Sequence, residues 1–224
     1  MAEQLINLES SMLIGQGGHK KVYIDPRDAS HCVKILFNAD DPDMKKELRY
    51  RKAIRNRQRE LSMIPAYYGT VETNLGLGYV FDRIFDCDGR TSRTLEEILD
   101  AVECRLVGNQ PVADGIYTEL PENLNLLRRW SEDCLRYLRK DFLEAKVITS
   151  NMEAANFLMQ VEKKGKYHFW IADNLGSPVK IALIFYVDIL AEGHVKRYWN
   201  RFVKDLYTTY PAIMTQQFFD ELMV

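Results

Sequence analysis

The sequence predicts an α+β protein, with a β-rich first part at residues 1–84 and a mostly helical second part at residues 85–224. Short apolar runs separated by turn residues occur five times before residue 84, with one helical pattern among them. Beyond residue 94, apolar residues recur mainly at helical spacing. A chain of 224 residues accommodates one large domain or two packed lobes.

The first part begins with a predicted β-hairpin, because two apolar runs flank the glycine-rich segment 15–18. Acidic residues around Pro42 predict the start of a helix, which we expect at residues 44–60 and which residues 61–65 should end. The expected strands of this part are residues 12–14, 21–24, 31–37, 67–73 and 78–84.

The second part begins with a predicted helix at Thr94, since Glu97 lies three residues further on, the spacing of a capping box. Helices are expected at residues 124–145 and 195–222, and a loop at about 108–122. Three short runs predict strands at 146–148, 156–161 and 167–172. The last helix carries aromatic residues that we expect in the core or at a dimer surface: Tyr198, Trp199, Phe202, Tyr207 and Tyr210.

Composition excludes several classes of protein. The formal charge of -2 gives no global field that would require nucleic acid or a membrane as partner. The first residues lack the basic and apolar segments of a signal peptide, and no apolar run is long enough to span a bilayer, so we expect a cytoplasmic protein. The four cysteines and four histidines are widely separated, which predicts free thiols and no structural zinc site.

Candidate functional residues follow one another in a suggestive order. The glycine-rich segment 15–18 is followed by Lys34 in a predicted strand, then by Glu47 in a predicted helix, and much later by Asn156 and Asp173 next to strands. Taken alone, the glycines have an ordinary explanation, because glycine supplies positive φ at tight turns. Asp173-Asn174-Leu175-Gly176 alone is also typical of a turn. The order and spacing favour a shared site.

This order resembles the signature set of protein kinases. The matching segments are 14–23 for the glycine-rich loop, 32–35 for the strand lysine, 79–84 for the hinge, 149–158 for the catalytic loop and 173–176 for the metal motif. Segments 47–50, 67–73 and 173–176 also resemble the bacterial family called PhoP regulatory network protein YrbL. The resemblance covers about residues 13–183 and is weaker between 84 and 124.

The resemblance implies a two-lobe kinase-like fold, with a five-stranded N-lobe at 1–84, a truncated, mostly helical C-lobe at 85–224, and ATP with Mg²⁺ between them. It implies that glycine backbone groups approach the phosphates, that Lys34 pairs with phosphate oxygens and with Glu47, and that the hinge contacts the nucleotide. The implied nucleotide-binding residues are Gly15, Gly17, Gly18, Val22, Lys34, Glu47, Phe81, Asp82 and Arg83. Asn156 and Asp173 would be the Mg²⁺ ligands.

The sequence departs from the kinase pattern where chemistry matters most. Asn151 stands five residues before Asn156, where a kinase has its catalytic aspartate, and the YrbL resemblance shares this loss. Lys20 replaces the third glycine, and Glu153 stands where kinases keep a lysine. Only 48 residues follow Gly176, too few for a peptide-substrate platform.

These departures leave two functions open. The first is an unconventional kinase-like transferase, in which Asp173 and Glu153 are the catalytic candidates and Glu153 or a water is the base. The second is a pseudokinase regulator or other non-catalytic interaction module. The acceptor, the physiological protein or small-molecule partner and the oligomeric state remain open.

A basic helix raises a third function. Eight of the fifteen residues from Lys45 to Arg59 are basic, and a positive charge density of this kind can bind the phosphate backbone of a nucleic acid. These residues occur on all sides of the helix, so we favour a solvated face with arginines paired to the acidic residues 40–43. Nucleic-acid binding is therefore the least favoured function.

Overall fold

The computed structural model describes residues 5–54, 61–109, 120–163, 165–177 and 188–224. These residues form a mixed α+β protein with a five-stranded antiparallel sheet, a second sheet of three strands and five α-helices. The predicted α+β class and the five strands of the first part are thereby confirmed. In chain order the elements are β1 Leu13–Gln16, β2 Lys20–Ile24, β3 His31–Leu36, α1 Pro42–Ala53, β4 Tyr67–Thr73, β5 Gly76–Asp82, β6 Arg93–Thr94, α2 Leu95–Leu106, α3 Leu124–Ala145, β7 Phe157–Lys163, β8 Lys166–Ile171, α4 Asp188–Thr209 and α5 Gln216–Leu222.

The five-stranded sheet has the order β1-β2-β3-β5-β4, and its two faces have different environments. Side chains alternate between the faces of a strand, so neighbouring residues of β3 point in opposite directions. Val33 and Ile35 pack with Tyr23 and Val80 in one apolar cluster. Cys32 and Lys34 lie on the other face, where Phe81 is also found. The charged Lys34 therefore points to the same side as α1.

Helix α1 is fixed to the second part of the molecule. Asp41 caps its N-terminus by accepting bonds from two backbone N–H groups, and Pro42 occupies the first turn, so the helix begins two residues before the predicted start. The buried Tyr50 accepts a hydrogen bond from the Ile148 N–H at 2.9 Å. Gly176, with φ of +90°, lies so close to α1 that a Cβ there would approach Tyr50 Cβ to 3.1 Å. The predicted continuation of the helix over residues 55–60 lies outside the described residues.

The second part is built around α3, which has the predicted bounds. Its buried face includes Leu135, Leu138 and Phe142. Phe142 meets Phe157 of β7 in an edge-to-face contact at 6.3 Å and lies 6.1 Å from Trp199 of α4. These contacts join helices and the small sheet in one apolar core.

Most of the C-terminal aromatic residues belong to this core. Trp199, Phe202 and Tyr210 are buried, Tyr198 is partly buried, and Tyr207 is exposed. The prediction of a core position is thus confirmed for three of the five residues. Instead of one helix over 195–222, the structure has two, α4 and α5, with Pro211 between them. Proline lacks the N–H that a continuing helix needs.

One predicted strand is wrong. Residues 146–148 form no strand, because Lys146 ends α3 in the left-handed conformation with φ of 55° and redirects the chain. Val147 and Ile148 are buried, and the main chain of Ile148 donates to the Tyr50 hydroxyl and accepts from the Gly176 N–H instead of pairing with a strand. The other two predicted strands pair as β7 and β8. The predicted helix start at Thr94 is confirmed, complete with its capping box to Glu97.

The predictions about thiols and membrane segments are also addressed by the structure. All four cysteines are free, and burial raises the pKa of Cys32 to about 11. None of the helices within the described ranges has both the length and the apolar character needed to cross a bilayer.

Candidate functional site

A cavity of about 1160 Å³ lies between the five-stranded sheet and the second part of the protein. Its lining comes from the β1–β2 hairpin, β3, α1, the chain that follows β5, and the segments on either side of β7 and β8. All the site residues predicted from the sequence line this one cavity. The residues are Gly15, Gly17, Gly18, Val22, Lys34, Glu47, Phe81, Asp82, Arg83, Glu153, Asn156 and Asp173.

Backbone geometry does not explain why the turn between β1 and β2 contains glycines. None of Gly15, Gly17 and Gly18 has a positive φ. A Cβ built on Gly17 or Gly18 would meet no atom within 4 Å, and one on Gly15 would only reach Val22 Cβ at 3.9 Å. The turn is closed by a bond from the Gly17 N–H to the Lys20 carbonyl at 3.0 Å. The folded protein therefore has enough space for a larger residue at each of these three positions, yet each is a glycine.

Lys34 is a buried cation, with only 6% of its surface exposed. Its Nζ donates to the Ala172 carbonyl at 2.8 Å and lies 4.1 Å from the centre of the Phe81 ring. Burial lowers the pKa of Lys34, although the charge of Glu47 acts in the opposite direction. The ammonium group therefore has a carbonyl and a ring as partners, and no carboxylate of the described residues lies within ion-pair distance.

The ion pair expected between Glu47 and Lys34 does not form. Glu47 instead accepts from Arg51, with Arg51 Nη2 and Glu47 Oε1 2.7 Å apart. The two residues are four apart on α1, so the helix itself brings them together. Arg51 also donates to the Pro65 carbonyl and lies 5.0 Å from the centre of the Phe81 ring. Arg51 was not among the predicted site residues, although its spacing of four residues from Glu47 is visible in the sequence.

Asp173 forms an ion pair with Lys20 at 2.6 Å between Asp173 Oδ2 and Lys20 Nζ. Burial alone would raise the pKa of the Asp173 carboxyl, but the charges of Lys20 and Lys34 outweigh it and hold that pKa below its usual range. Asn174 follows in the left-handed conformation with φ of 62°, so the turn leaves the strand directly after the carboxylate. Lys20 was predicted only to replace the third glycine of the loop. Its position in the glycine-rich turn is the feature of the sequence that could have indicated a role at the site.

Asn156 lies at the end of a short 3-10 helix, directly before β7. Its backbone N–H donates to the Glu153 carbonyl and its carbonyl accepts from Ala172, so the main chain is fully engaged. Only 8% of the residue is exposed, yet its Nδ2 has no hydrogen-bond partner among the described residues. A buried polar group without a partner is costly, and here it lies at the wall of the cavity.

The donors available for Mg²⁺ are the Asn156 side chain and the Asp173 carboxylate, both oxygen ligands of the kind this ion prefers. The described residues contain no cluster of three or more His, Cys, Asp or Glu side chains suited to a metal. These donors fit an ion that takes its remaining ligands from phosphate oxygens and water. They do not fit a metal held by the protein alone.

Asn151 and Glu153 lie in the segment 149–158, which the sequence comparison matched to a kinase catalytic loop. Asn151 Nδ2 donates to Glu153 Oε1 at 2.5 Å, and both residues line the cavity. The neighbouring Ser150 hydroxyl accepts from Lys46 of α1 at 2.6 Å. Glu153 is the carboxylate of this pair and hence its proton-accepting member.

The side chains of the predicted hinge support the structure of the sheet edge. Asp82 accepts from the Ala66 N–H at 2.6 Å and from the Tyr68 hydroxyl at 2.8 Å. Arg83 donates to Thr91 Oγ1 at 2.9 Å. The Ile84 carbonyl accepts from the Ser92 N–H at 3.0 Å. The side chains of Asp82 and Arg83 are therefore engaged within the protein, and the main chain of residues 82–84 is the part better suited to contact a ligand in the cavity.

The fold and this site define a class: an α+β protein with a cavity, lined by both charged and apolar residues, between an antiparallel sheet and a largely helical part. The chain belongs to the family described as PhoP regulatory network protein YrbL, whose family model matches residues 6–207. It is similar to YrbL of Escherichia coli strain K12, with 30% identity over 202 residues that cover 89% of this chain and 87% of the relative. YrbL of Shigella flexneri matches to the same extent.

Proposed function

We propose that this protein binds ATP with Mg²⁺ in the cavity, on a two-lobe protein-kinase-like fold, and acts in the cytoplasm as a regulator with an unconventional phosphotransferase or a pseudokinase activity. One observation carries the proposal: residues from separate segments, selected for their kinase-like order, line one cavity. The family description, which refers to the PhoP regulatory network, supports the regulatory role.

The glycine-rich turn supports phosphate binding. Gly17 and Gly18 have neither a positive φ nor a neighbour that would exclude a Cβ. A remaining reason for glycine is the close approach of the backbone to a ligand, because a Cβ there would occupy the space that phosphate oxygens need. Lys34 adds a buried cation that has no carboxylate partner in the described part of the chain, and an anionic ligand would stabilise it.

The adenine would lie against the chain that follows β5. Ile84 is buried, and its N–H makes no hydrogen bond among the residues that the structure describes. Asp82 offers a backbone carbonyl whose partner is the weak donor Cys32 Sγ at 3.4 Å. One donor and one acceptor on an extended chain match the hydrogen-bonding edge of a purine.

Transfer chemistry depends on Asp173, Asn156 and Glu153. Asp173 and Asn156 would hold Mg²⁺, and the ion would supply neutralisation of phosphate charge. Asn151 has no oxygen of useful basicity, so Glu153 is the candidate base and Asn151 orients it. Because phosphoryl transfer relies mainly on positioning and electrostatics, slow turnover is compatible with this arrangement.

The test compares thermal unfolding and calorimetric binding with ATP, ADP and AMP, each with Mg²⁺ and with EDTA. We expect ATP to raise the melting temperature, and Mg²⁺ to enlarge the effect; a ligand at 100 times its Kd adds about 2.7 kcal/mol. Asp173→Ala should weaken binding of Mg-ATP and abolish any turnover, whereas Asn151→Ala should leave binding almost unchanged. No heat and no melting shift at millimolar ATP would refute the proposal.

Two other functions remain alternatives to this proposal. A non-catalytic interaction module differs by lacking turnover of ATP with any acceptor. Nucleic-acid binding by α1 is disfavoured because two of its lysines have acidic partners: Lys45 pairs with Asp40 and Lys46 with Asp43. Lysines rather than arginines make these pairs, and Arg55, Arg57 and Arg59 lie outside the described residues.

A further inference from the structure

The ion pair between Lys20 and Asp173 joins two segments of the cavity wall that are distant in sequence. Lys20 is the first residue of β2 and closes the glycine-rich turn through its carbonyl. Asp173 follows β8 in the second part of the protein. The side chain of Lys20 is 14% exposed and that of Asp173 is 35% exposed, so the lysine is the more deeply placed partner. This ion pair places a cation beside the proposed metal ligand.

At this end of the cavity Lys20, Lys34 and Arg51 outnumber Asp173 and Glu47 by one charge, whereas the cavity lining as a whole carries more carboxylates than lysines and arginines. Lys20 lies close enough to Lys34 that its positive charge adds to the effect of burial in lowering the pKa of Lys34. Asp173 compensates one of these two lysines. Glu47 forms its ion pair with Arg51, which makes that second pair neutral. An anion is the ligand that such a surplus favours.

Resting on the proposed function, we propose that Lys20 is a phosphate-binding residue that shares Asp173 with the metal ion. Without metal, Lys20 serves as the cation of the triphosphate site. When Mg²⁺ occupies Asp173, the Lys20 ammonium leaves the carboxylate. The structure assigns to one lysine a role that makes nucleotide binding only partly dependent on metal.

The chemistry of lysine suits this exchange. Its ammonium group has three donors on a flexible four-carbon stem, so it can contact Asp173 and a phosphate oxygen at once or move between them. The open space above Gly17 and Gly18 lies beside it in the same turn. Lys21, the next residue, points to the opposite face of β2 and is absent from the cavity lining, which makes it a matched control.

The test measures binding of ATP and inorganic tripolyphosphate by calorimetry, in EDTA and in Mg²⁺, for wild type, Lys20→Met, Lys20→Arg and Lys21→Met. We expect wild type to bind both ligands in EDTA. Lys20→Met should weaken binding about tenfold in EDTA and much less in Mg²⁺, as removal of one partly buried charge contact would. Lys20→Arg should restore binding, and Lys21→Met should resemble wild type.

A second variant tests the sharing of Asp173. Asp173→Asn should free Lys20 and therefore strengthen binding in EDTA while weakening it in Mg²⁺. If wild type binds only with Mg²⁺, or if Lys20→Met weakens binding equally in both buffers, Lys20 has no such role although ATP binding stands. If neither ligand binds in either buffer, the proposed function itself is wrong and this inference with it.

Discussion

At the scale of single residues, the burial of Lys34 destabilises the folded state, and the fold does not require a lysine at this position. A buried lysine loses hydration, and among the described residues its ammonium group gains one carbonyl and the face of a ring. Its pKa is lowered by burial, which means that the folded state disfavours the charged form. Residues that destabilise a fold in this manner are typical of functional sites.

Replacing Lys34 by Met should therefore stabilise the protein by about 1 kcal/mol at neutral pH, because a similar apolar side chain replaces a buried charge. The free energy of unfolding, measured by urea titration, gives this number. In wild type the penalty should lessen as pH rises towards 10.5, the ordinary pKa of lysine, and the variant should lack that dependence. Binding of ATP should be lost. A variant that is both less stable and still able to bind would contradict this account.

At the scale of elements, the glycines of β5 and of the β1–β2 hairpin have different structural roles. Gly78 of β5 is required by packing, because a Cβ there would lie 2.4 Å from Val33 Cγ1. Gly17 and Gly18 meet no such restriction. The sequence shows glycines in both places, and only the tertiary neighbours distinguish them.

We expect the double substitution Gly17→Ala with Gly18→Ala to change the free energy of unfolding by less than about 1 kcal/mol, while weakening ATP binding at least tenfold. Gly78→Ala should instead cost about 2 kcal/mol through overpacking and leave ligand affinity of the folded protein unchanged. Chemical denaturation and calorimetry on the two variants provide the comparison. Unchanged ATP affinity in the double variant would remove the turn from the site.

At the scale of the whole molecule, α4 is joined to the chain that leads to the cavity. His194 donates through Nε2 to the Thr149 carbonyl at 2.9 Å and stacks on Tyr198 with ring centres 4.2 Å apart. Its Nδ1 is buried and has no partner within the described part of the chain. Burial lowers the pKa of His194, and the nearby Arg197 adds to this effect. The folded protein therefore holds this imidazole neutral.

The sign of the resulting pH dependence follows from linkage. The unfolded state binds a proton at His194 more readily, so stability is complete above pH 6.5 and is lost as pH falls through the lower pKa of the folded state. His194→Phe keeps the stacking but removes the titration, and it should flatten the decrease in stability between pH 7 and 5 while lowering stability overall. Unfolding curves across that range test this, and an unchanged pH dependence would contradict it.

The sequence by itself determined the α+β class, the five strands of the main sheet, the capped start of α2 and the full extent of α3. These depend on local patterns: alternation of apolar residues, turn chemistry and caps. It also indicated which residues share a cavity, since their types and order were distinctive. Local patterns fail where buried chain has no regular pairing, as at residues 146–148.

Only the tertiary structure decided which charged side chains form ion pairs with each other. Glu47 could bond Lys34 or Arg51, and the helix geometry of α1 gives it to Arg51. Lys20 appeared as a missing glycine, and the approach of the hairpin to Asp173 makes it an ion-pair partner. Ionic partners depend on distances of a few ångströms between segments far apart in sequence, and no local pattern contains those distances.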